Sequence, residues 1–210
     1  MTVYLVEDEV GYDTDSVGFP NLGGCLAVVL MTEHWLYGFH ITPGNTRKIR
    51  EFLDFVLSYG PRGEYLQLYG TCNRANRYPV QPKQQWQQEM GEIANALNYH
   101  GKISGYDLSS WAAKITATEA TYVEYRRIAG ERKCSIHFKR MSKMDCTTGT
   151  MQPGVMIRKI VPDRAMPGSY KLAVPYNNRV TIGAQVIDTA DNGGQLHTVS
   201  FLGLESFERP

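Results

Sequence analysis

Two residues in this 210-residue chain have the types and the spacing for covalent chemistry. Cys25 follows directly on Gly23-Gly24, and His40 comes fifteen positions later in Gly38-Phe39-His40. A nucleophilic cysteine needs a backbone that presents its thiol at an edge, N–H groups to hold a developing oxyanion, and a base within reach. Two glycines before the thiol leave the approach open, so the amides around Gly24 and Cys25 are the candidate oxyanion donors. Residues 26–31 (LAVVLM) form an unbroken apolar run of strand length, and 35–42 (WLYGFHIT) a second strand, with Glu33-His34 as the turn between them. Pairing about that turn brings Cys25 and His40 close to opposite one another, where roughly 5 Å separates facing residues. Taken singly, each residue has a blander reading: a cysteine beside an apolar strand as a small buried hydrophobe, and a histidine in one as a satisfied core residue.

The other reactive side chains carry less. Cys134, His137 and Cys146 include a Cys-x2-His spacing, but no well-spaced fourth ligand accompanies them, and no metal is expected. Cys72 follows a strand at 65–69 and could line the same cleft, though a structural role is the default. His34 reads as a turn residue, and His100 and His197 as exposed or locally bonded. Arg126, Arg127, Arg132 and Lys133 read as a solvated hairpin face.

The elements that must hold Cys25 and His40 fall into two halves. The first alternates strands and helices: a short strand at 3–6, a Gly/Asp/Ser-rich loop at 11–24, then the two strands above. A helix follows at 45–59, N-capped by Asn45 and closed by Gly60-Pro61, with Ile49, Phe52, Leu53, Val56 and Leu57 on one face. A second helix covers about 83–98, with Trp86, Met90, Ile93, Ala94 and Leu97 on its apolar face. The second half is β-rich, with a hairpin of 122–128 and 133–141 and further strands at 156–161, 170–174, 180–187 and 196–202. Residues 101–120 fit no single element. The expectation is an α/β chain of the α+β sandwich kind, with a central, mostly antiparallel sheet and helices on one face. Residues 1–105 would form a catalytic core, and 106–210 a β-rich extension or a small second domain.

Composition narrows the partners. With 22 basic and 21 acidic residues the net charge is +1, which gives no electrostatic basis for nucleic acid or an anionic membrane. Four scattered cysteines suit reduced thiols in a cytosol. No signal-peptide pattern opens the chain, and the apolar run at 25–31 is too short to span a bilayer. A cytoplasmic protein is expected, or one exported without a cleavable signal into a target cell's cytosol. The oligomeric state stays open.

Leu22-Gly23-Gly24-Cys25, an apolar strand, Gly38-Phe39-His40, and Pro43-Gly44 before an amphipathic helix together resemble the cysteine deamidase superfamily over residues 1–100. That group includes the chemotaxis receptor deamidase CheD, the catalytic domain of cytotoxic necrotizing factor and Burkholderia lethal factor. The resemblance implies a protein glutamine deamidase with Cys25 as nucleophile and His40 as acid–base partner. The substrate would be a protein bearing the target glutamine, and no cofactor would be needed. Some members support the histidine with a threonine six residues before the cysteine, where this chain has Phe19; a backbone carbonyl, or Thr14, Asp15 or Ser16, would then take that role. The extra β-rich half favours a toxin or effector over a chemotaxis enzyme. A peptidase, an amidase, a transglutaminase and a non-catalytic binding protein on the same fold are the alternatives.

Overall fold

The computed structural model describes residues 2–44, 46–59, 63–142, 146–150, 156–173, 178–182 and 196–208. The central sheet has eight strands in the order β12 (Tyr170–Leu172), β11 (Met156–Pro162), β2 (Glu9–Asp13), β5 (Leu36–Ile41), β4 (Leu26–Thr32), β6 (Tyr65–Thr71), β7 (Ile103–Gly105) and β15 (Glu205–Phe207). Its neighbours run antiparallel except for β6 and β7. A second sheet has the order β1 (Thr2–Tyr4), β3 (Ser16–Leu22), β8 (Glu119–Arg127), β9 (Cys134–Ser142) and β14 (His197–Thr198). β10 (Cys146–Thr150) pairs with β13 (Asn178–Ile182) apart from both. The helices are α1 (Ile49–Tyr59), α2 (Arg74–Arg77), α3 (Pro82–Ala96) and α4 (Ser109–Ala112).

Strand β4 explains the layering. Every one of its residues is buried, because both faces of the central sheet are covered. Leu26, Val28 and Leu30 pack with Phe52 and Phe55 of α1 and with Trp86, Met90 and Ile93 of α3. Ala27, Val29 and Met31 point the other way, onto Val17, Phe19, Val123, Tyr125 and Phe138 of the second sheet. The result is an α+β sandwich of three layers: helices, central sheet, second sheet. The β-rich half feeds both sheets, with β8 and β9 in one and β11, β12 and β15 in the other.

Several local expectations need correction. The stretch 11–24 is not a loop but most of two strands, β2 and β3, joined at a turn where Asp13 Oδ1 accepts the N–H groups of Asp15 and Ser16. Gly18 in β3, like Gly38 in β5, serves close approach instead of a turn. A Cβ on Gly18 would sit 2.5 Å from the Tyr122 hydroxyl, and one on Gly38 2.6 Å from Leu5 and Val17. In α1 the buried side is Ile49, Phe52, Phe55 and Val56, while Leu57 is 65% exposed, so the apolar stripe is rotated towards Phe55. The apolar face of α3 is buried as expected. Of 196–202 only His197–Thr198 pairs as strand, and Phe201–Gly203 is a 3-10 turn. Residues 101–120 hold β7 and α4. Asn45, Gly60-Pro61 and the end of the strand expected at 180–187 lie outside the described residues.

Candidate active site

The register of the β4–β5 hairpin sets the geometry. His40 lies opposite Ala27, and Leu26 opposite Ile41, so Cys25 stands one diagonal step from His40 instead of directly across. Cys25 shares its face with Ala27, two residues on, and therefore with His40. Diagonal neighbours in an antiparallel pair are about 7–8 Å apart at the backbone, still within reach of an imidazole.

His40 is fully buried. Its Nδ1 lies 2.8 Å from the carbonyl oxygen of Leu5. A carbonyl can only accept, so Nδ1 carries the proton and Nε2 the lone pair. Nε2 has no hydrogen-bond partner. Burial pulls the imidazole down to about 4, against the opposing pull of the Leu5 bond and the Asp8 carboxylate, so the ring is neutral at pH 7. The segment carrying Leu5 is tied to β5 a second time, where the Asp8 N–H donates to the His40 carbonyl at 2.8 Å. Asp8 also accepts from Thr42 Oγ1 at 2.9 Å and pairs with Lys48 at 2.6 Å.

That same segment holds Glu7 against the cysteine. The Cys25 thiol donates to Glu7 Oε1 at 3.8 Å. Cys25 is 4% exposed, and burial first, then the Glu7 carboxylate, push its thiol up to about 12, with Arg77 pulling the other way. In this state the sulfur is protonated and its proton faces a carboxylate.

Arg77, from the short helix α2, fastens the two ends of the site together. Its Nη1 donates to the Gly24 carbonyl at 3.0 Å and to the Ile41 carbonyl at 3.1 Å, and Nη2 to the Thr42 carbonyl at 3.3 Å. The guanidinium then forks onto Glu89 of α3, with Nε to Oε2 at 2.8 Å and Nη2 to Oε1 at 2.6 Å. The Tyr78 hydroxyl also donates to Glu89. Burial opposes the charge on Arg77, but the Glu89 carboxylate outweighs it and holds the guanidinium firmly protonated.

A cleft of about 580 Å³ opens over Cys25, lined among others by Glu7, Asn21, Gly24, Asn73, Asn76 and Glu119. Asn76 Nδ2 lies 3.4 Å from where a Gly24 Cβ would be, which puts an amide donor beside the Gly23–Cys25 turn. Its helix is anchored by Asn73 Oδ1, which accepts the Asn76 N–H.

Thr14, Asp15 and Ser16 do not stand where a third catalytic member must. They mark the turn between β2 and β3, where Asp13 faces Leu36 at the far end of β5. Ser16 Oγ meets Thr2 Oγ1 at 2.7 Å, and the Thr14 carbonyl accepts from Arg127, which also reaches the Thr32 carbonyl. The seven residues of β4 separate that end from Cys25, about 20 Å at strand rise. The group that meets His40 Nδ1 is the Leu5 carbonyl.

Cys72 is buried on the helix side of the sheet, away from the cleft. Cys134 and His137 sit three apart on β9 and face opposite ways; Ser135 and Thr198 occupy the two ring nitrogens of His137, while the side chain of Cys146 lies outside the described residues. Among the described residues no cluster of three metal-ligating side chains is found. In the basic hairpin Arg126 pairs with Glu124, Arg132 with Glu64 and Lys133 with Glu131. No described helix is long and apolar enough to cross a membrane.

Glu7, Asn76 and Arg77 escaped sequence reasoning. Glu7 sits in a turn, and α2 has four residues, too few for a periodic signal. No protein-family model matches the chain, and no curated protein matches it.

Proposed function

We propose that this protein hydrolyses the side-chain carboxamide of a glutamine in a protein substrate, with Cys25 as nucleophile and His40 as acid and base. The observation that carries the reading is the state of His40. It is a neutral imidazole on the face of Cys25, with Nδ1 held by the Leu5 carbonyl and Nε2 left with a lone pair and no partner. That is the tautomer a general base needs. The sequence resemblance to cysteine deamidases, including those that support the histidine through the main chain, agrees with it.

With the thiol near 12 and the imidazole near 4, a resting ion pair is not the starting state. The proton instead passes to Nε2 as Sγ attacks the carboxamide carbon. The amides of the Gly24–Cys25 turn, with Asn76 beside them, receive the oxyanion. His40 returns the proton to the departing nitrogen and ammonia leaves. Water, deprotonated by His40, then attacks the thioester; the thiol is regenerated and the side chain becomes glutamate. Arg77 positions the two chain ends and touches no reacting atom. The 580 Å³ cleft suits an extended side chain on a protein surface, and a toxin or effector acting in another cell is the setting we favour.

The test is peptide mass spectrometry of a cell lysate treated with wild type and with Cys25→Ser. A glutamine heavier by about one dalton, as NH2 becomes OH, in the wild-type sample alone is the expected result. One observation favours a second reading. A thiol 4% exposed, beside a carboxylate and pushed up to about 12, suits an inert core cysteine in a binding protein, and an unchanged lysate would support it.

A further inference from the structure

Glu7 has an odd place for a structural residue. It is exposed, it belongs to a loop tied down on both sides of His40, and it presents an acceptor to the one sulfur at the floor of the cleft. If the thiol only needed to be reactive, a carboxylate at 3.8 Å would be the wrong neighbour, because it holds the proton on sulfur. Its value must lie in what else it meets. A side chain whose carbonyl carbon contacts Sγ carries one further substituent, and that substituent lies within reach of Glu7 Oε1. In a carboxamide it is NH2, with two donors and no charge. In a carboxylic acid at neutral pH it is an oxygen bearing negative charge. Asn21 lines the same cleft, with its Oδ1 buried behind the surface and without a hydrogen-bond partner. Among the described lining residues are two carboxylates, Glu7 and Glu119, and no lysine or arginine. Glu119 is held below the usual carboxylate range by the backbone N–H of Thr116, so it is ionised.

We propose that Glu7 is the specificity-determining group that admits a neutral carboxamide on a non-acidic segment and turns away the carboxylate counterpart. This rests on the reading of Cys25 as the reacting atom. An incoming carboxamide donates N–H to Glu7 and so takes that acceptor from the thiol, freeing the thiol proton for His40. The product glutamate can donate nothing to Glu7 and is repelled by it, which favours release over the reverse reaction. The acidic rim favours substrate segments with lysine or arginine near the glutamine.

Two small alkylating agents isolate this role without any protein substrate. Iodoacetamide brings a carboxamide to the thiol and iodoacetate a carboxylate, and both form the same thioether bond with loss of iodide. The rates at Cys25 are measured by peptide mapping at one pH and low salt, and their ratio is compared with that of a short cysteine peptide. In wild type the preference for iodoacetamide at Cys25 should exceed the peptide's by about fivefold or more, the effect of one charge near 4 Å in a wet cleft. In Glu7→Gln both rates should rise, and the ratio should fall to within about twofold of the peptide's. Because the ratio cancels the fraction of thiolate, a change confined to thiol acidity would not move it. An unchanged ratio in Glu7→Gln overturns the proposal, and so does a wild-type Cys25 that reacts with neither reagent, since a cleft built for a carboxamide must admit iodoacetamide. The result is separable from the deamidase reading: glutamine turnover with an unchanged ratio would keep Cys25 and discard Glu7.

Discussion

The protein holds two cysteine–histidine sets, and they are built in opposite ways. Cys134 and His137 are three residues apart on one strand, β9, and so face opposite sides of it. Cys25 and His40 are fifteen apart in sequence, yet the β4–β5 hairpin puts them on one face. His137 has both ring nitrogens engaged, by Ser135 at 2.8 Å and Thr198 at 3.0 Å, whereas His40 has one fixed and one vacant. The two thiols are both raised to about 12 by burial, so acidity does not separate them. What separates them is a partner on the same face with an unspent lone pair. Closeness along the chain is a poor guide to chemistry; the face and the hydrogen-bond inventory of the base decide.

The comparison breaks most sharply on activity. Cys25→Ser should remove glutamine turnover altogether, and His40→Ala should lower it by about 10²–10⁴-fold. Combining them should cost no more than the worse single change, since a thiol without its base is already idle. Cys134→Ser and His137→Ala should stay within about twofold of wild type. Equal losses from both sets would show global unfolding and not chemistry, which melting curves on the same samples check.

Next in size is the brace under the first set. Glu89→Gln leaves the Arg77 guanidinium buried without its counter-charge, and should destabilise the fold by about 3–5 kcal/mol in urea titrations. A loss below about 1 kcal/mol would mean the pair is solvated and does not hold the site.

The vacant imidazole also has a pH signature. His40 sits near 4 folded against 6.5 when free, so between those values the unfolded chain binds the extra proton. Stability should therefore fall as pH drops from 6.5 to 4, by on the order of 3 kcal/mol at the lower end. Glu9 acts oppositely: burial raises it from 4.5 to about 7, so it favours the folded state as pH falls. The His40 contribution is thus the difference between wild type and His40→Gln, both of which keep Glu9. A difference that does not vary with pH would show that His40 is solvated. Activity should share the acid limb near 4 and hold level through neutral pH, because only the neutral ring takes the thiol proton.

Much of this arrangement could be read from the sequence, and the misses share a cause. That Cys25 and His40 lie on one face was accessible because a short turn between two apolar runs fixes register locally, though the step between them is diagonal. The helix faces followed from periodicity, except at Leu57, where the neighbouring layer and not the pattern decides exposure. The β2–β3 strands were missed because Gly18, at a close approach to Tyr122, looks like a turn glycine. A main-chain carbonyl beside His40 was among the expectations, but which one could not be read, because a carbonyl leaves no mark on residue type: Leu5 looks like any core leucine. Glu7 and Arg77 reach the site through contacts 18 and 53 residues apart, where local pattern is silent.

Under the proposed chemistry His40 makes Cys25 different from an equally buried thiol, and Cys134 is the control within the same molecule. The two are 4% and 7% exposed, and burial pushes both thiols up to about 12. Iodoacetamide labelling at pH 7, followed by peptide mapping of wild type and His40→Gln, compares them directly. Cys25 should be modified well ahead of Cys134 and Cys72 in wild type, and fall to the rate of Cys134 in His40→Gln. A Cys25 no faster than Cys134, or one whose lead survives the loss of His40, would show that His40 does not activate it.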